Sequence, residues 1–583
     1  MSELTDEQKC LLVAEGKVVL TACPGSGKTF IVAKKMQQYV ESWQHPYRGI
    51  AVLSFTNVAK DEILHTAIEN SKIVTSQLGY PHFVGTLDSF IDNFIFLRFG
   101  HLMYKDNPIR PRVLLENSGA FPYGNRDCYR CDINDFHWSQ NCLLKSGEKL
   151  SCNILNKPCL AMKKAMIKKG LATQREVPAL TVSIMNKYNN IASLLAYRFP
   201  VIIVDEAQDT SKEQMEILEI IATAGVETMI LVGDSDQAIY EWRDATPEYF
   251  ISKIIDSAWS HLQLTTNFRS TQAICDATSA FSSILSTDKT TKAFGQSSQL
   301  TRKPILLQFE KDKAKSDVIN KFKSLCLDSG ISYDAKSVAI LTRARIHSNT
   351  DITKLWQTSE TKLLASATYQ WHCNSKHRAY NLCEQALYNI FWGNAHEMTQ
   401  EEIRMFIEKN VGDRLWRKQV ILLLSGLPEA SVALSAWKTL MMSTLDFVIT
   451  NIVNTINIKP KPVSELVKLK TKVKNKNDKN FSTEFLSKPL QEFFEKRVSK
   501  EVTVSSVHGV KGESFDAVLL LIMSNREKLN ASVLSKGSLD REELRIAYVA
   551  MTRPRKLLVV AIPKQKEKEL PRFPHIYWEY QIV

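Results

Sequence analysis

The stretch "KVVLTACPGSGKTF" leaves this chain little freedom in how it folds. An apolar run, Val18–Thr21, stops at a short loop, and the loop opens directly into the helix-like segment "FIVAKKMQQYV". Strand, glycine loop and helix in that order form a phosphate cradle. Gly25 and Gly27 let successive backbone N–H groups turn toward one anion, and the helix N-terminus adds partial positive charge. Ala22, Cys23, Pro24, Gly25, Ser26, Gly27, Lys28 and Thr29 are therefore the candidate nucleotide-binding residues, with Ala22 standing where the pattern has its first glycine. Lys28 is expected to reach the β- and γ-phosphates, and Thr29 to hold Mg²⁺.

Other apolar runs end the same way. "IAVLSFTN", "VIIVDEAQDT" and "MILVGDSDQ" pass from a buried-strand pattern into polar residues, with helix-like segments between them. Runs rich in Val and Ile suit strands covered on both faces, and the alternation predicts an open parallel α/β sheet with ligands at the carboxyl ends of its strands. "SVAILTR", "DAVLLLIM" and "KLLVVAIP" predict a second such sheet. In "VIIVDEAQD", Asp205 leaves its strand as a second Mg²⁺ ligand. Glu206 beside it is placed to orient and deprotonate a water, so the pair suits phosphate hydrolysis.

A chain of 583 residues exceeds a single core, and 44% apolar with 23% charged residues is ordinary globular composition. The net charge of +13 favours a polyanionic partner, nucleic acid first. No apolar run approaches membrane-helix length, and the polar, acidic N-terminus does not read as a signal peptide. A cytoplasmic location with reduced cysteines and no membrane contact is expected.

The ordered segments resemble the UvrD/Rep/PcrA group of superfamily 1 DNA helicases from residue 4 to about residue 560. "LTDEQ" resembles the adenine-reading segment and puts Gln8 on the base; Phe268 takes the position that stacks on adenine. "LSFTNVAKDEI" and "GTLDSF" resemble DNA-contact motifs, with Thr56, Asn57 and Thr86. "VGDSDQAIYEWRDA" contributes Gln237 as a γ-phosphate sensor, and Tyr240, Trp242 and Arg243 on DNA. Trp242, flanked by charge, suits a base-stacking platform. "LTTNFRS" and "ELRIAYVAMTR" carry Arg269 and Arg553 as arginine fingers. "VSSVHGVKGESFDAV" brings His508 to DNA.

The resemblance implies an α/β fold of two RecA-like parallel-sheet lobes, each with a mainly helical insertion. The first lobe takes residues 1–98 and 180–272 and its insertion 99–179; the second takes 273–372 and 498–583 and its insertion 373–497. The implied function is ATP- and Mg²⁺-dependent 3′→5′ helicase or translocase activity on single-stranded and tailed duplex DNA. RNA fits a stacking platform as well. Two residues depart from the family pattern: Asp88 stands where many relatives have His, and Glu513 lies one position before the usual acid. The sequence runs about 20 residues past "LLVVAIP", so no C-terminal nuclease domain is expected. The compact size also resembles the UvrD-like subunits found beside OLD-type nucleases in Gabija phage-defence systems. On that reading the protein is a nucleic-acid-sensing ATPase subunit with a nuclease partner.

Two segments remain outside this scheme. The first insertion holds Cys128, Cys131, Cys142, Cys152 and Cys159, with His137 nearby. "CYRC" is a half-site spacing for zinc, and the thiolates also suit an iron–sulfur cluster. Either would stabilise a small insert rather than take part in catalysis. The second insertion ends in "NIKPKPVSELVKLKTKVKNKNDKN", with eight Lys against one Glu and one Asp. It reads as an exposed loop or a duplex-DNA contact.

Overall fold

The structure is a computed structural model. It describes residues 4–69, 75–103, 111–114, 136–139, 142–145, 148–149, 167–168, 170–240, 245–282, 291–310, 315–343, 355–373, 376–392, 407, 411–454, 460, 462–469, 486–494, 502–524, 528–539 and 541–583. The chain divides into two compact units. One comprises 1–116, 130–345 and 499–583; the other comprises 117–129 and 346–498.

The larger unit holds two six-stranded parallel sheets. The first is built from β1 (Gly16–Ala22), β2 (Ile50–Ser54), β3 (Phe83–Thr86), β4 (Val201–Val204), β5 (Thr228–Gly233) and β6 (Ser260–Leu264), in the order β6-β1-β5-β4-β2-β3. The second is built from β7 (Ile305–Phe309), β8 (Val338–Thr342), β9 (Thr503–Ser506), β10 (Phe515–Leu521), β11 (Pro554–Pro563) and β12 (Glu579–Ile582), in the order β9-β8-β10-β11-β7-β12. All pairings within both sheets are parallel.

Alternate residues explain why both sheets are covered on both faces. In β1, Val19 joins one core cluster while Val18 and Leu20 join the other. In β7, Leu306 faces one core and Ile305 and Leu307 the opposite one. The helix Lys28–Ser42 packs Ile31, Val32, Met36 and Val40 onto the first sheet, which fixes the glycine loop at the end of β1. It starts from Gly27 at φ 79°, a left-handed conformation that a side chain would strain.

Within 99–179 the described residues include short strands. Arg112–Leu114 pairs in parallel with Leu171–Thr173, and Phe136–Ser139, Cys142–Lys145 and Glu148–Lys149 form an antiparallel set. Cys142 thus opens a strand, while Cys128, Cys131, Cys152 and Cys159 lie outside the described residues, as does most of the lysine-rich run. Among the described residues no His, Cys, Asp and Glu group fit to hold a metal occurs, and no helix is long and apolar enough to cross a membrane.

The smaller unit is helical. Its core joins the helices Ser359–His372, Lys376–Trp392, Asp413–Ser425 and Leu434–Val453 through Leu364, Leu387, Trp416 and Trp437. The boundary read at residue 372 therefore moves. The helix Ser359–His372 belongs to this core because Leu364, Ala365 and Ala367 are buried in it and Thr368 Oγ1 accepts from Trp437 Nε1 at 3.0 Å.

Candidate nucleotide and nucleic-acid site

The carboxyl ends of β1, β2, β4 and β5 open into a cleft of about 360 Å³, lined by Gly25–Thr29, Glu206, Gln237, Arg269, Lys511 and Arg553. Its floor is the glycine loop. Gly25 has φ 74°, and a Cβ there would stand 2.7 Å from Arg269 Cβ and 2.8 Å from Asn267 Oδ1. The glycine is thus what lets the segment carrying Arg269 lie against the loop. Phe268 N donates to Gly25 O at 2.9 Å, and Asn267 Oδ1 accepts from Arg269 N and Ser270 N at 2.7 and 2.9 Å.

Lys28 Nζ lies 3.4 Å from Ala22 O and 3.9 Å from Asp234 Oδ2. Burial pushes the neighbouring Cys23 thiol up to about 12, so it is no nucleophile. Gln8 sits in a capping box: its Oε1 accepts from Thr5 N at 3.2 Å, and its Nε2 donates to Ser26 O at 3.3 Å. The predicted base reader is therefore tied directly to the phosphate loop.

Asp205 and Glu206 follow β4. Asp205 N donates to Leu53 O at 2.8 Å, and Asp205 Oδ1 accepts from Glu206 N at 3.0 Å. Among the described residues Asp205 Oδ2 is buried with no hydrogen-bond partner, and burial together with Glu206 pushes the carboxyl up to about 7. Ser26 Oγ is likewise buried and unpartnered. A buried carboxylate oxygen without a donor, close to a phosphate loop, suits a divalent cation. Asp205 and Thr29 fit as its holders, and bound Mg²⁺ would neutralise phosphate charge there.

This arrangement predicts a trade between stability and function. A carboxyl raised in the folded state makes the fold lose stability as pH climbs from the ordinary aspartate range through about 7. Asp205→Asn should therefore melt higher than wild type at pH 8 without nucleotide, by about 1–3 kcal/mol, while losing ATPase activity. An unchanged or lower melting temperature would contradict the charge assignment.

Glu206 is the one non-glycine residue at positive φ among the described residues, at 54°. Strain of that kind gathers at functional sites. Burial pushes its carboxyl up, but Lys511 and Lys28 outweigh burial, so the group stays below the ordinary glutamate range and ionised. Lys511 donates to the Asp209 carboxylate and to Gln237 O at 3.0 Å, and stands 3.8 Å from Glu206 Oε2.

Two arginines close the cleft. Arg553 Nη2 donates to Gln237 Oε1 at 2.8 Å and Arg553 Nε to Val549 O at 2.9 Å. Arg269 Nη1 donates to Thr552 O at 3.0 Å. Burial and the neighbouring Arg553 pull Arg269 down to about 9. Two guanidiniums and two ammoniums facing one cavity repel each other, and a polyphosphate would relieve that repulsion.

Beside the cleft, Tyr240 packs against Phe55 at 5.3 Å and His508 at 5.9 Å between ring centroids, with Lys511 Nζ 4.8 Å from the Tyr240 ring centre. His508 Nε2 bonds Ile239 O at 3.0 Å. Tyr240 and His508, from different lobes, thus meet. Trp242 and Arg243 lie outside the described residues. Thr56 Oγ1 accepts from Ala59 N and Thr86 Oγ1 from Ser89 N, both at 3.2 Å, so each hydroxyl caps a helix; Asn57 is exposed. Asp88 Oδ1 accepts from Gln214 Nε2 at 2.7 Å, a tie between two helices of the first lobe. Glu513 offers Arg553 Nη1 its backbone oxygen at 3.5 Å.

Lys511, Phe55 and Asn267 are the parts of this site that sequence reasoning missed. Lys511 lies in the quoted "HGVKGESF" but has no local feature that marks it. Asn267 directly precedes the predicted Phe268 and Arg269, and an Asn, whose side chain can accept from the backbone N–H groups that follow it, was the available signal.

Two parallel-sheet lobes that enclose a phosphate loop and paired arginines define a nucleoside-triphosphatase of two-lobed type. The sequence matches the family model of the UvrD/REP helicase N-terminal domain over residues 4–109 and 134–257, and that of the UvrD-like helicase C-terminal domain over 385–565. The chain belongs to the UvrD-like helicases. It is 22% identical over 443 residues to a probable DNA helicase of Mycoplasma pneumoniae, covering 70% of this chain and 81% of that protein. It is 26% identical over 438 residues to a probable DNA helicase II homolog of the same organism, covering 67% of this chain and 58% of that one. It is 27% identical over 270 residues to the Gabija protein GajB of Bacillus cereus, covering 46% of each chain.

Proposed function

We propose that the protein is an ATP-driven 3′→5′ translocase and helicase on single-stranded DNA. The observation that carries this reading is the contact of Arg553 with Gln237 across the phosphate-loop cleft. Lys28 holds the β- and γ-phosphates, and Thr29 and Asp205 would hold Mg²⁺, which would neutralise phosphate charge there. Gln8 and Phe268 take the adenine. Glu206 takes a proton from the attacking water while Arg269 and Arg553 stabilise the charge that develops on the γ-phosphate. Gln237 changes partner when phosphate arrives, which alters the grip of Tyr240 and His508 on the strand. Thr56, Asn57, Thr86, Trp242 and Arg243 complete the DNA path. A duplex with a 3′ tail should be unwound and one with a 5′ tail should not; equal unwinding of both would overturn the polarity.

A second reading is favoured by the similarity to GajB. Here the same ATPase cycle senses nucleic acid and regulates a partner nuclease of the OLD type. Robust ATPase with no strand displacement by the isolated protein would favour it.

A further inference from the structure

The helix Asp6–Val13 is clamped to the nucleotide site more firmly than Gln8 alone requires. The Glu7 carboxylate accepts from Thr265 N at 2.8 Å and from Thr265 Oγ1 at 2.5 Å, 258 residues away in sequence. At the other end of the helix, Lys35 Nζ donates to Leu12 O at 2.6 Å and Ala14 O at 3.0 Å. Lys35 belongs to the helix that starts at the phosphate loop. The helix therefore has little room to move independently of either partner.

Thr265 begins the short segment that carries Phe268 and Arg269. Its neighbour Leu264 accepts from Cys23 N at 3.0 Å, and Phe268 N donates to Gly25 O at 2.9 Å. The segment is thus laid along the phosphate loop and held at its start by Glu7. Gln8, the next residue after Glu7, donates its amide to Ser26 O of the same loop. A base that engages Gln8 pulls on the same turn of helix that holds Thr265.

We propose that Glu7 is a positioning residue that couples recognition of the base to the placement of Arg269. This rests on the ATP-hydrolysis reading above. Adenine offers a donor and an acceptor to an amide, whereas guanine offers two acceptors. A correct base seats the helix turn, Glu7 sets Thr265, and Arg269 reaches the γ-phosphate. A wrong base leaves the turn displaced. Base identity is then expressed in kcat as well as in KM.

The test is steady-state hydrolysis of ATP and GTP by the full chain at saturating single-stranded DNA. In wild type, kcat should favour ATP. Glu7→Ala should lower kcat for ATP by about tenfold, the scale of one charge-assisted hydrogen bond, and should change kcat for GTP little. Thr265→Val, which keeps the backbone bond to Glu7 and loses the hydroxyl one, should give part of that loss of discrimination, Thr265→Ser should retain the wild-type ratio, and the double variant Glu7→Ala/Thr265→Val should be no worse than Glu7→Ala alone. Thr265→Val keeps the volume of threonine and loses only the hydroxyl, so it reports even where Glu7→Ala unfolds. Equal losses with both nucleotides, an unchanged kcat ratio, or Thr265→Ser behaving as Thr265→Val would overturn the coupling. Wild type that hydrolyses neither nucleotide would instead overturn the ATPase reading itself.

Discussion

Arg553→Ala should lower kcat for ATP by about 10³–10⁵-fold, the range for removing an arginine that stabilises phosphoryl-transfer charge. The side chain is only 2% exposed and is held by Val549 O and Gln237 Oε1, so its head is aimed before nucleotide arrives. Such pre-aiming costs no reorganisation during the reaction, which is why its loss should fall on kcat more than on KM. Arg553→Lys keeps the charge but loses the planar fork, and should recover only a small part of the rate. A loss confined to KM would show that the arginine binds ground-state phosphate only.

The second large effect concerns Glu206. Glu206→Gln should reduce hydrolysis by about 10²–10⁴-fold, the usual contribution of a general base. Binding of ATP should persist, measured by fluorescence of a labelled nucleotide, because Lys28 and the glycine loop are untouched. The substitution keeps the side-chain shape and the acceptor for Gln208 Nε2. It removes the negative charge that Lys511 and Lys28 keep ionised. DNA-stimulated hydrolysis surviving in Glu206→Gln would remove Glu206 from its assigned role.

Much of this architecture was legible because its signals are local. The end of β1, the loop and the helix Lys28–Ser42 are contiguous, so one stretch of sequence specifies all three. Asp205 and Glu206 could be placed because a fully buried strand, β4, ends at them. The partners that tune the site were not legible, since they come from far along the chain. Lys511 meets Asp209 across 302 residues; Arg553 and Gln237, 316 residues apart, were named only through the family resemblance. Thr56 and Thr86 show the opposite difficulty. The family resemblance assigns them to DNA, and the sequence did not show that their hydroxyls also cap the turns that follow β2 and β3. The helix Ser359–His372 was misplaced because an apolar face does not announce which core it will join.

The central claim is that this cleft converts Mg²⁺–ATP hydrolysis into work on a single strand. Its most direct test is the ATPase rate of the wild-type chain with and without a single-stranded DNA oligonucleotide, with Lys28→Ala as the control. Hydrolysis should need Mg²⁺, rise on adding DNA and disappear in Lys28→Ala. A wild-type rate that is indifferent to single-stranded DNA, or that persists in Lys28→Ala, would contradict it.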